Sequence, residues 1–240
     1  MRRVTAALGI GAPVLSVPVV LVAGLMTPGY DPAQRTISRL AEPGLPAAWA
    51  IELAIFLVGV SLIGLALQLG AHAAPGRLLL GIAGASLLVA AVVPLNPASA
   101  NTSTIHRLAT GVAMLSLVAA PLAFAPSFRR SDVWCGYARL SFGLGVAAVG
   151  MLLIALALLP TAFAAGAWER CLLALPLGWT VLISTRLLRS RTTEPILASA
   201  TENSSWPTTV STHDRMNAPA ASANSSLLWC PVIKVITAKA

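Results

Sequence analysis

Three kinds of side chain in this sequence could together carry out nucleophilic catalysis. Ser38 could supply the nucleophile and His106 the general base, while the group that orients the histidine would be one of three glutamates, Glu42, Glu52 or Glu169. Such a set requires the serine and the histidine to lie within hydrogen-bond distance, which spacing along the chain does not establish. No GxSxG nucleophile elbow and no paired-histidine metal motif accompanies these residues. A membrane-embedded hydrolase therefore stays an alternative interpretation.

These residues belong to a larger group of polar side chains near the ends of apolar stretches. Its members are Arg35, Ser38, Glu42, Glu52, Asn96, His106, Arg107, Glu169 and Arg170. Counted with Asp31 and Arg39, the group contains four arginines and four acids, so its formal charge is zero. The charge ring of an ion channel would have one sign, whereas balanced charges favour mutual pairing. The group is predicted either to clasp the helices together or to bind a small polar ligand or a lipid head group.

Six apolar stretches must position this polar group. They lie near residues 4–26, 47–69, 78–98, 107–125, 137–159 and 170–188. A bilayer core about 30 Å thick is crossed by roughly 20 helical residues, and a helix satisfies its own backbone hydrogen bonds in lipid. Only 10% of the residues are charged and 57% are hydrophobic. The sequence thus predicts an all-α integral membrane protein, a bundle of six transmembrane helices within residues 1–191, with the lipid bilayer as its surroundings.

The distribution of arginine predicts the orientation of this bundle. With the N-terminus in the cytoplasm, nine arginines fall beside the spans on the cytoplasmic side, counted up to residue 194, against Asp132 and Glu194 as the acids there. Those arginines are Arg2, Arg3, Arg77, Arg129, Arg130, Arg139, Arg186, Arg189 and Arg191. An excess of Lys and Arg beside the spans is typical of the cytoplasmic side. We therefore expect a multi-pass protein of the cell membrane with both termini inside and the balanced polar group outside.

Neither the C-terminal part of the chain nor its net charge indicates a further binding or catalytic site. Residues 192–240 are rich in Ser, Thr and Ala, a composition that predicts a disordered cytoplasmic tail. The net charge of +8 comes from arginines beside apolar spans, so no nucleic-acid partner is expected. No Cys or His cluster has metal-ligand spacing, and neither a metal nor a cofactor is predicted.

The first loop and the second span contain the acids nearest to the expected membrane boundary. Turn signals at 31–32 and 43–44 enclose a segment, 33–41, that is predicted to form a short interfacial helix. Glu52 lies inside the second span, where a lone charge is costly. It is predicted to pair with Arg35, Arg39 or Arg107, with a buried acid of a ligand or proton site as the alternative.

The fourth span is expected to open within the polar group. Ser103 or Thr104 is predicted to cap this helix, which places His106 and Arg107 in its first turn. His106 is then either a hydrogen-bonding anchor at the membrane interface or a base. Asn96 precedes it in a proline-interrupted segment, Pro94-Leu-Asn-Pro97, predicted to end the third span.

Several short pieces of the sequence recur in one known family. They are Ile37-Ser-Arg-Leu-Ala-Glu-Pro-Gly, Phe56-Leu-Val-Gly, Pro94-Leu-Asn, His106 and Gly166-Ala-Trp-Glu-Arg170. In their order and spacing, over about residues 5–190, the chain resembles the bacterial and archaeal six-helix membrane proteins catalogued as domain of unknown function 998. The resemblance implies a six-helix integral membrane protein with no assigned activity, and we expect the cell membrane to be a bacterial one. Members often have an acid where this chain has Arg39 or Asn96, so no mechanism needing carboxylates there is expected.

Three classes of function are compatible with this sequence. A non-enzymatic membrane protein needs the polar group only for pairing or for ligand binding, and it is the class that we favour. The hydrolase interpretation requires Ser38 and His106 to meet. A secondary transporter would show inverted repeats and polar groups at the membrane midplane, whereas here the polar groups lie near span ends and no internal repeat stands out.

Overall fold

A computed structural model of the chain describes residues 2–69, 73–158 and 164–189. Within these residues six helices are long and apolar enough to cross a membrane. They are α1 (Arg2–Met26), α2 (Ala48–Gln68), α3 (Ala74–Val92), α4 (Ala100–Arg129), α5 (Cys135–Leu158) and α6 (Ala165–Arg189). The prediction of an all-helical membrane protein with six candidate spans is confirmed. The predicted tail, 192–240, lies outside the described residues.

The six helices pack in a closed ring. Each helix packs against the next one along the chain, α6 returns to contact α1, and α4 also touches α6. Four of the five connections have only five to seven residues, so the helices they join run antiparallel. Helices α1 and α2 are antiparallel as well, because Ala23 packs with Ile51 while Thr5 lies against Gly64. As a result, α1, α3 and α5 end, and α2, α4 and α6 begin, at one end of the bundle, which we call the polar end.

Aromatic side chains fill the interior away from the polar end. Phe124 is stacked on Phe128 and tilted against Trp179, with ring centroids 5.4 Å apart in both pairs. Phe128 in turn stacks on Trp134 at 5.1 Å. The indole N–H of the fully buried Trp179 donates a 2.9 Å hydrogen bond to the Ser141 hydroxyl, so the ring has a polar partner in the core. These contacts join α4, α5 and α6.

Two glycines allow α2 and α3 to approach closely. A Cβ atom added to Gly84 would lie 2.6 Å from the carbonyl oxygen of Gly59, and one added to Gly59 would lie 2.9 Å from that of Gly84. Both neighbours are backbone atoms, which cannot turn aside as a side chain can. Small residues at helix contacts of this kind are the usual means of close packing in lipid.

The substitution Gly84→Ala is therefore expected to separate α2 from α3. We expect a loss of about 1–2 kcal/mol in the free energy of unfolding, the usual range for overpacking, measured by thermal or denaturant unfolding in detergent. Gly81→Ala is the matched control, one turn earlier on the same helix, where an added Cβ meets nothing within 4 Å. Equal stability of the two variants would contradict the close-approach interpretation.

Several helix ends differ from the sequence-based prediction. Helix α3 ends at Val92 rather than near 98, because Pro94 and Pro97 lack the N–H groups that would continue it. The predicted caps of α4 are wrong: this helix begins at Ala100, and the cap is Ser99, whose hydroxyl accepts from the Thr102 N–H at 3.5 Å.

The first loop and the start of α6 also depart from the prediction. The segment predicted as a helix over 33–41 is a shorter 3₁₀ helix, Ile37–Ala41, whose Leu40 and Ala41 are buried. Helix α6 begins at Ala165 rather than near 170. The polar side chains of α4 and α6 consequently lie in the second turn of each helix, below the rim of the bundle rather than on it.

Candidate functional site

Arg170 ties the first loop to the start of α6. Its Nη1 donates to the carbonyl oxygens of Pro32 at 2.6 Å, Gly166 at 2.8 Å and Arg35 at 3.2 Å. Its Nη2 donates to the Tyr30 hydroxyl at 2.6 Å, and the guanidinium lies 5.8 Å from the centroid of the Tyr30 ring. Hydrogen bonds from a charged donor are stronger than neutral ones. One side chain thus fixes three points of the loop.

Tyr30 completes the same arrangement from the loop side. Its hydroxyl faces the carbonyl oxygens of Arg35 and Thr36, each at 3.1 Å, as their hydrogen-bond donor. Burial raises the pKa of Tyr30 above its ordinary value of 10 and outweighs the hydrogen bond from Arg170, which lowers it. The phenol therefore keeps its proton at neutral pH and remains a donor.

Glu169, the neighbour of Arg170, bonds to the loop one turn further along. Its carboxylate accepts the backbone N–H of Ile37 at 2.5 Å. Ile37 is the first residue of the 3₁₀ helix, so this bond satisfies one of the N–H groups that have no partner within a helix. A backbone bond from Ala167 N–H to the Ala33 carbonyl, 2.9 Å, runs alongside it. We call Tyr30, Gly166, Glu169, Arg170 and the loop backbone at 32–37 the loop clasp.

Gly166 allows the loop clasp to close. A Cβ atom at this position would collide with the carbonyl oxygen of Arg35 and would lie 2.5 Å from that of Pro32. The loop backbone therefore lies directly against the backbone of α6. Only a residue without a side chain fits this contact, in which the same two carbonyls also accept from Arg170.

His106 makes a second connection, between α4 and α3. The side chain is 1% exposed, and its Nδ1 lies 2.8 Å from the carbonyl oxygen of Val93 and 3.1 Å from that of Ala90. Because both partners are acceptors, Nδ1 must carry a proton. The other ring nitrogen, Nε2, is buried and has no hydrogen-bond partner among the described residues.

The two carbonyls that His106 binds are those left free by two prolines. In a continuing helix the Ala90 carbonyl would accept from residue 94 and the Val93 carbonyl from residue 97. Both positions are proline, which has no N–H. The imidazole therefore replaces the two missing backbone donors at the end of α3. We call this arrangement the histidine cap.

The turn between α3 and α4 is held by Asn96. Its side-chain oxygen accepts the Ala98 N–H at 2.9 Å, and its backbone carbonyl accepts from the Ser103 hydroxyl at 2.6 Å and from the Ser99 N–H at 3.0 Å. These are the bonds of an Asx turn that leads into a capped helix. Asn96 thus has a local structural role beside the histidine cap.

The other predicted members of the polar group do not join either arrangement. Arg39 pairs with Glu42 in an exposed salt bridge of 2.6 Å, a type of pair that contributes little to stability. The predicted pairing of Glu52 with an arginine is wrong, since no ion pair to Glu52 occurs in the described residues. Arg35 enters the loop clasp through its carbonyl, while its side chain and that of Arg107 are exposed. The predicted group therefore divides into separate parts.

The catalytic arrangement considered for Ser38 is not assembled in the described part of the chain. Ser38 lies in the 3₁₀ helix, which packs on α1, α2 and α6, and no hydrogen bond joins it to His106. The protonated Nδ1 of His106 faces carbonyls rather than a hydroxyl. Residues 2–69, 73–158 and 164–189 contain no group of three or more His, Cys, Asp or Glu side chains placed to hold a metal ion.

Several members of the two arrangements were not identified as site residues from the sequence. Tyr30 stands in a turn segment whose aromatic residue looks like an ordinary interface anchor. Gly166 is a glycine at the start of a helix, which has no distinctive signal by itself. The spacing of Pro94 and Pro97 is the usable signal, because two prolines three apart leave two carbonyls at a helix end without donors and so predict a nearby side-chain donor.

Comparison with known proteins identifies the family of this chain and nothing closer. A family model described as "Protein of unknown function (DUF998)" matches residues 10–186. The match contains all six helices in whole or in large part, together with the loop clasp and the histidine cap. No curated protein and no solved structure matches.

Proposed function

Because this chain belongs to the DUF998 family of proteins of unknown function, we propose a function from its geometry alone. It is a non-enzymatic membrane protein whose polar end is closed by the loop clasp and the histidine cap. The observation that carries the proposal is which groups the polar side chains of this end bind as hydrogen-bond partners. The guanidinium of Arg170, the carboxylate of Glu169 and the imidazole of His106 all bind backbone groups of neighbouring segments. Polar side chains that are hydrogen-bonded to backbone atoms stabilise the structure and are not free to bind a substrate.

The proposal includes an orientation in the cell membrane. The polar end faces outward and both termini are cytoplasmic, because the arginine excess lies at the opposite end of the helices. The polar end then meets the outer head groups, where Glu52 and Arg107 can reach water or lipid head groups. Neither a hydrolase built on Ser38 and His106 nor a small-solute transporter has a specific observation in its favour among the described residues.

Neutralising the two charged side chains of the loop clasp tests its role. Arg170→Gln and Glu169→Gln are each expected to lower the free energy of unfolding by about 2 kcal/mol, because each leaves backbone groups without a charge-assisted partner. Thermal unfolding in detergent measures the change. Arg107→Gln is the matched control for the arginine, since this exposed side chain at the same end makes no hydrogen bond in the described residues.

Proteolysis of the first loop gives a readout specific to the clasp. Trypsin can cut after Arg35 and Arg39 only when the loop opens locally, and a loss of about 2 kcal/mol from the closed state corresponds to roughly thirtyfold faster cutting. We expect roughly this acceleration for Arg170→Gln and none for Arg107→Gln. Trypsin added to sealed right-side-out vesicles tests the orientation as well. Unchanged cutting in Arg170→Gln would contradict the clasp, and full protection in vesicles would contradict the outward orientation.

A further inference from the structure

A lateral groove runs along the ring between α1 and α6. Its volume is about 510 Å³, which is within the usual range of small-molecule sites. One wall is formed by apolar side chains of α1 such as Val14, Val17 and Leu21, and the other by α6, where Ala174 and Gly178 leave space. These five residues are exposed, so the groove opens sideways toward the membrane rather than into the bundle.

Arg170 supplies the one charged side chain in the lining of this groove. Its Nη1 and Nη2 face the Arg35 carbonyl and the Tyr30 hydroxyl, which are themselves joined by a 3.1 Å hydrogen bond. The end of the guanidinium fork is therefore used by the loop clasp. The side edge, formed by Nε–H and the second Nη2–H, has no partner in the described residues. No acid forms a salt bridge with Arg170 in this part of the chain either.

The free edge of Arg170 has the geometry that binds an oxyanion. Two parallel N–H groups on one side of a guanidinium match two oxygens of a phosphate or carboxylate. The neighbouring Glu169 interacts electrostatically with this charge but makes no salt bridge with it in the described residues, and the hydrogen-bond partners of Arg170 are neutral carbonyls and a phenol that keeps its proton. A negatively charged group at the mouth of the groove would therefore be electrostatically complementary.

The length of the groove matches one leaflet of a bilayer. Along α6 the lining extends from Arg170 to Val181, eleven residue steps, or about 16 Å at 1.5 Å per step. Half of a hydrocarbon core about 30 Å thick is about 15 Å. A ligand whose charged group sits at Arg170 would thus place its apolar part within the leaflet at the polar end.

We infer that this groove binds one glycerophospholipid, with an acyl chain between α1 and α6 and the phosphodiester on the free edge of Arg170. Three observations meet in this ligand: an apolar groove open to the membrane, an oxyanion-binding edge at its mouth, and a length of one leaflet. This inference goes beyond the proposed closing of the polar end, although it uses a residue of the loop clasp.

Native mass spectrometry of the full chain in mild detergent tests the inference. Phosphatidylglycerol is the probe, and diacylglycerol with the same chains is the comparison that lacks the phosphodiester. We expect one retained phosphatidylglycerol per chain and at least tenfold weaker retention of diacylglycerol. Inorganic phosphate is expected not to displace the lipid, because it has no chain for the groove. Equal retention of the two lipids, or displacement by phosphate, would overturn the inference.

Variants separate the groove from the loop clasp. Gly178→Leu fills the groove without touching the loop clasp and is expected to reduce phosphatidylglycerol retention at least tenfold. Gly143→Leu is the matched control, because Gly143 is an exposed glycine near the same depth on α5, outside the groove, with nothing within 4 Å of an added Cβ. Retention in Gly178→Leu equal to that in Gly143→Leu would overturn the inference.

Two further variants distinguish failure of this inference from failure of the loop clasp. Arg170→Gln is expected to reduce retention at least tenfold, whereas Glu169→Gln, which loosens the clasp and keeps the guanidinium, is expected to retain the lipid. Retention in Arg170→Gln would show chain binding without head-group recognition and would overturn the inference. Unchanged thermal stability in both variants would instead contradict the loop clasp. Lipid binding would then be decided by retention in Gly178→Leu, which does not depend on the clasp.

Discussion

Replacing His106 with alanine is expected to lower the free energy of unfolding by about 3 kcal/mol. The substitution leaves a cavity at a side chain that is 1% exposed and leaves the carbonyls of Ala90 and Val93 without their donor. Large-to-small substitutions in cores and lost partners of buried polar groups each cost about 1–3 kcal/mol or more. Thermal unfolding in detergent measures the loss, and Arg107→Ala, one residue along and exposed, serves as the control.

A double-mutant cycle with Pro94→Ala isolates the part of this loss that comes from the cap. Alanine at position 94 restores an N–H to which the Ala90 carbonyl can bond, so His106→Ala should be less harmful in that background. We expect a coupling of about 1 kcal/mol, which is typical of one hydrogen bond. Strict additivity of the two substitutions would show that the imidazole only fills space, and the histidine cap would be refuted.

Gly166→Ala is expected to have the second large effect, about 2–3 kcal/mol, because its Cβ has no free space against the loop backbone at Pro32 and Arg35. The carbonyls of these residues would have to move away, which also weakens their bonds to Arg170. We expect lower thermal stability together with faster tryptic cutting of the first loop.

The control for this substitution is expected to change the free energy of unfolding in the opposite direction or not at all. Gly178 lies on the same helix, with nothing within 4 Å of an added Cβ. Alanine is favoured over glycine inside a helix by about 0.5–1 kcal/mol, so Gly178→Ala should be neutral or stabilising. A loss in both variants would point to a general intolerance of α6 to substitution. That outcome would contradict a specific contact between Gly166 and the loop.

The fold could be predicted from the sequence because its main signal is local. Each span is a long apolar run, and the bilayer thickness turns such a run into a helix without knowledge of its neighbours. Helix ends were less predictable. Ser99, the cap of α4, lies eight residues before position 107, where the apolar stretch begins. The first turns contain polar residues such as Asn101 and Thr102, so hydrophobicity does not reveal them.

For the candidate site, the sequence could predict some of the residues that take part but not the contacts between them. The sequence indicates which polar residues lie near the polar end, and the side chains of Glu169, Arg170 and His106 do bind neighbouring segments there, while that of Asn96 bonds locally. It does not indicate their partners, because those partners are mostly backbone carbonyls and N–H groups, which every residue has. Balanced charge suggested ion pairs, yet the pairing that forms in the described residues at this end, Arg39 with Glu42, is a local one.

The closure of the ring by α1 and α6 also has a consequence for how the chain is made. The bond between Glu169 and the Ile37 N–H joins residues 132 apart, so the first loop is synthesised long before its partner leaves the ribosome. Until the last helix has been inserted, the carbonyls of Pro32 and Arg35 lack the guanidinium that binds them. Synthesis and insertion of α6 are therefore required before the polar end can close, and a chain truncated before α6 would present an open first loop to membrane proteases.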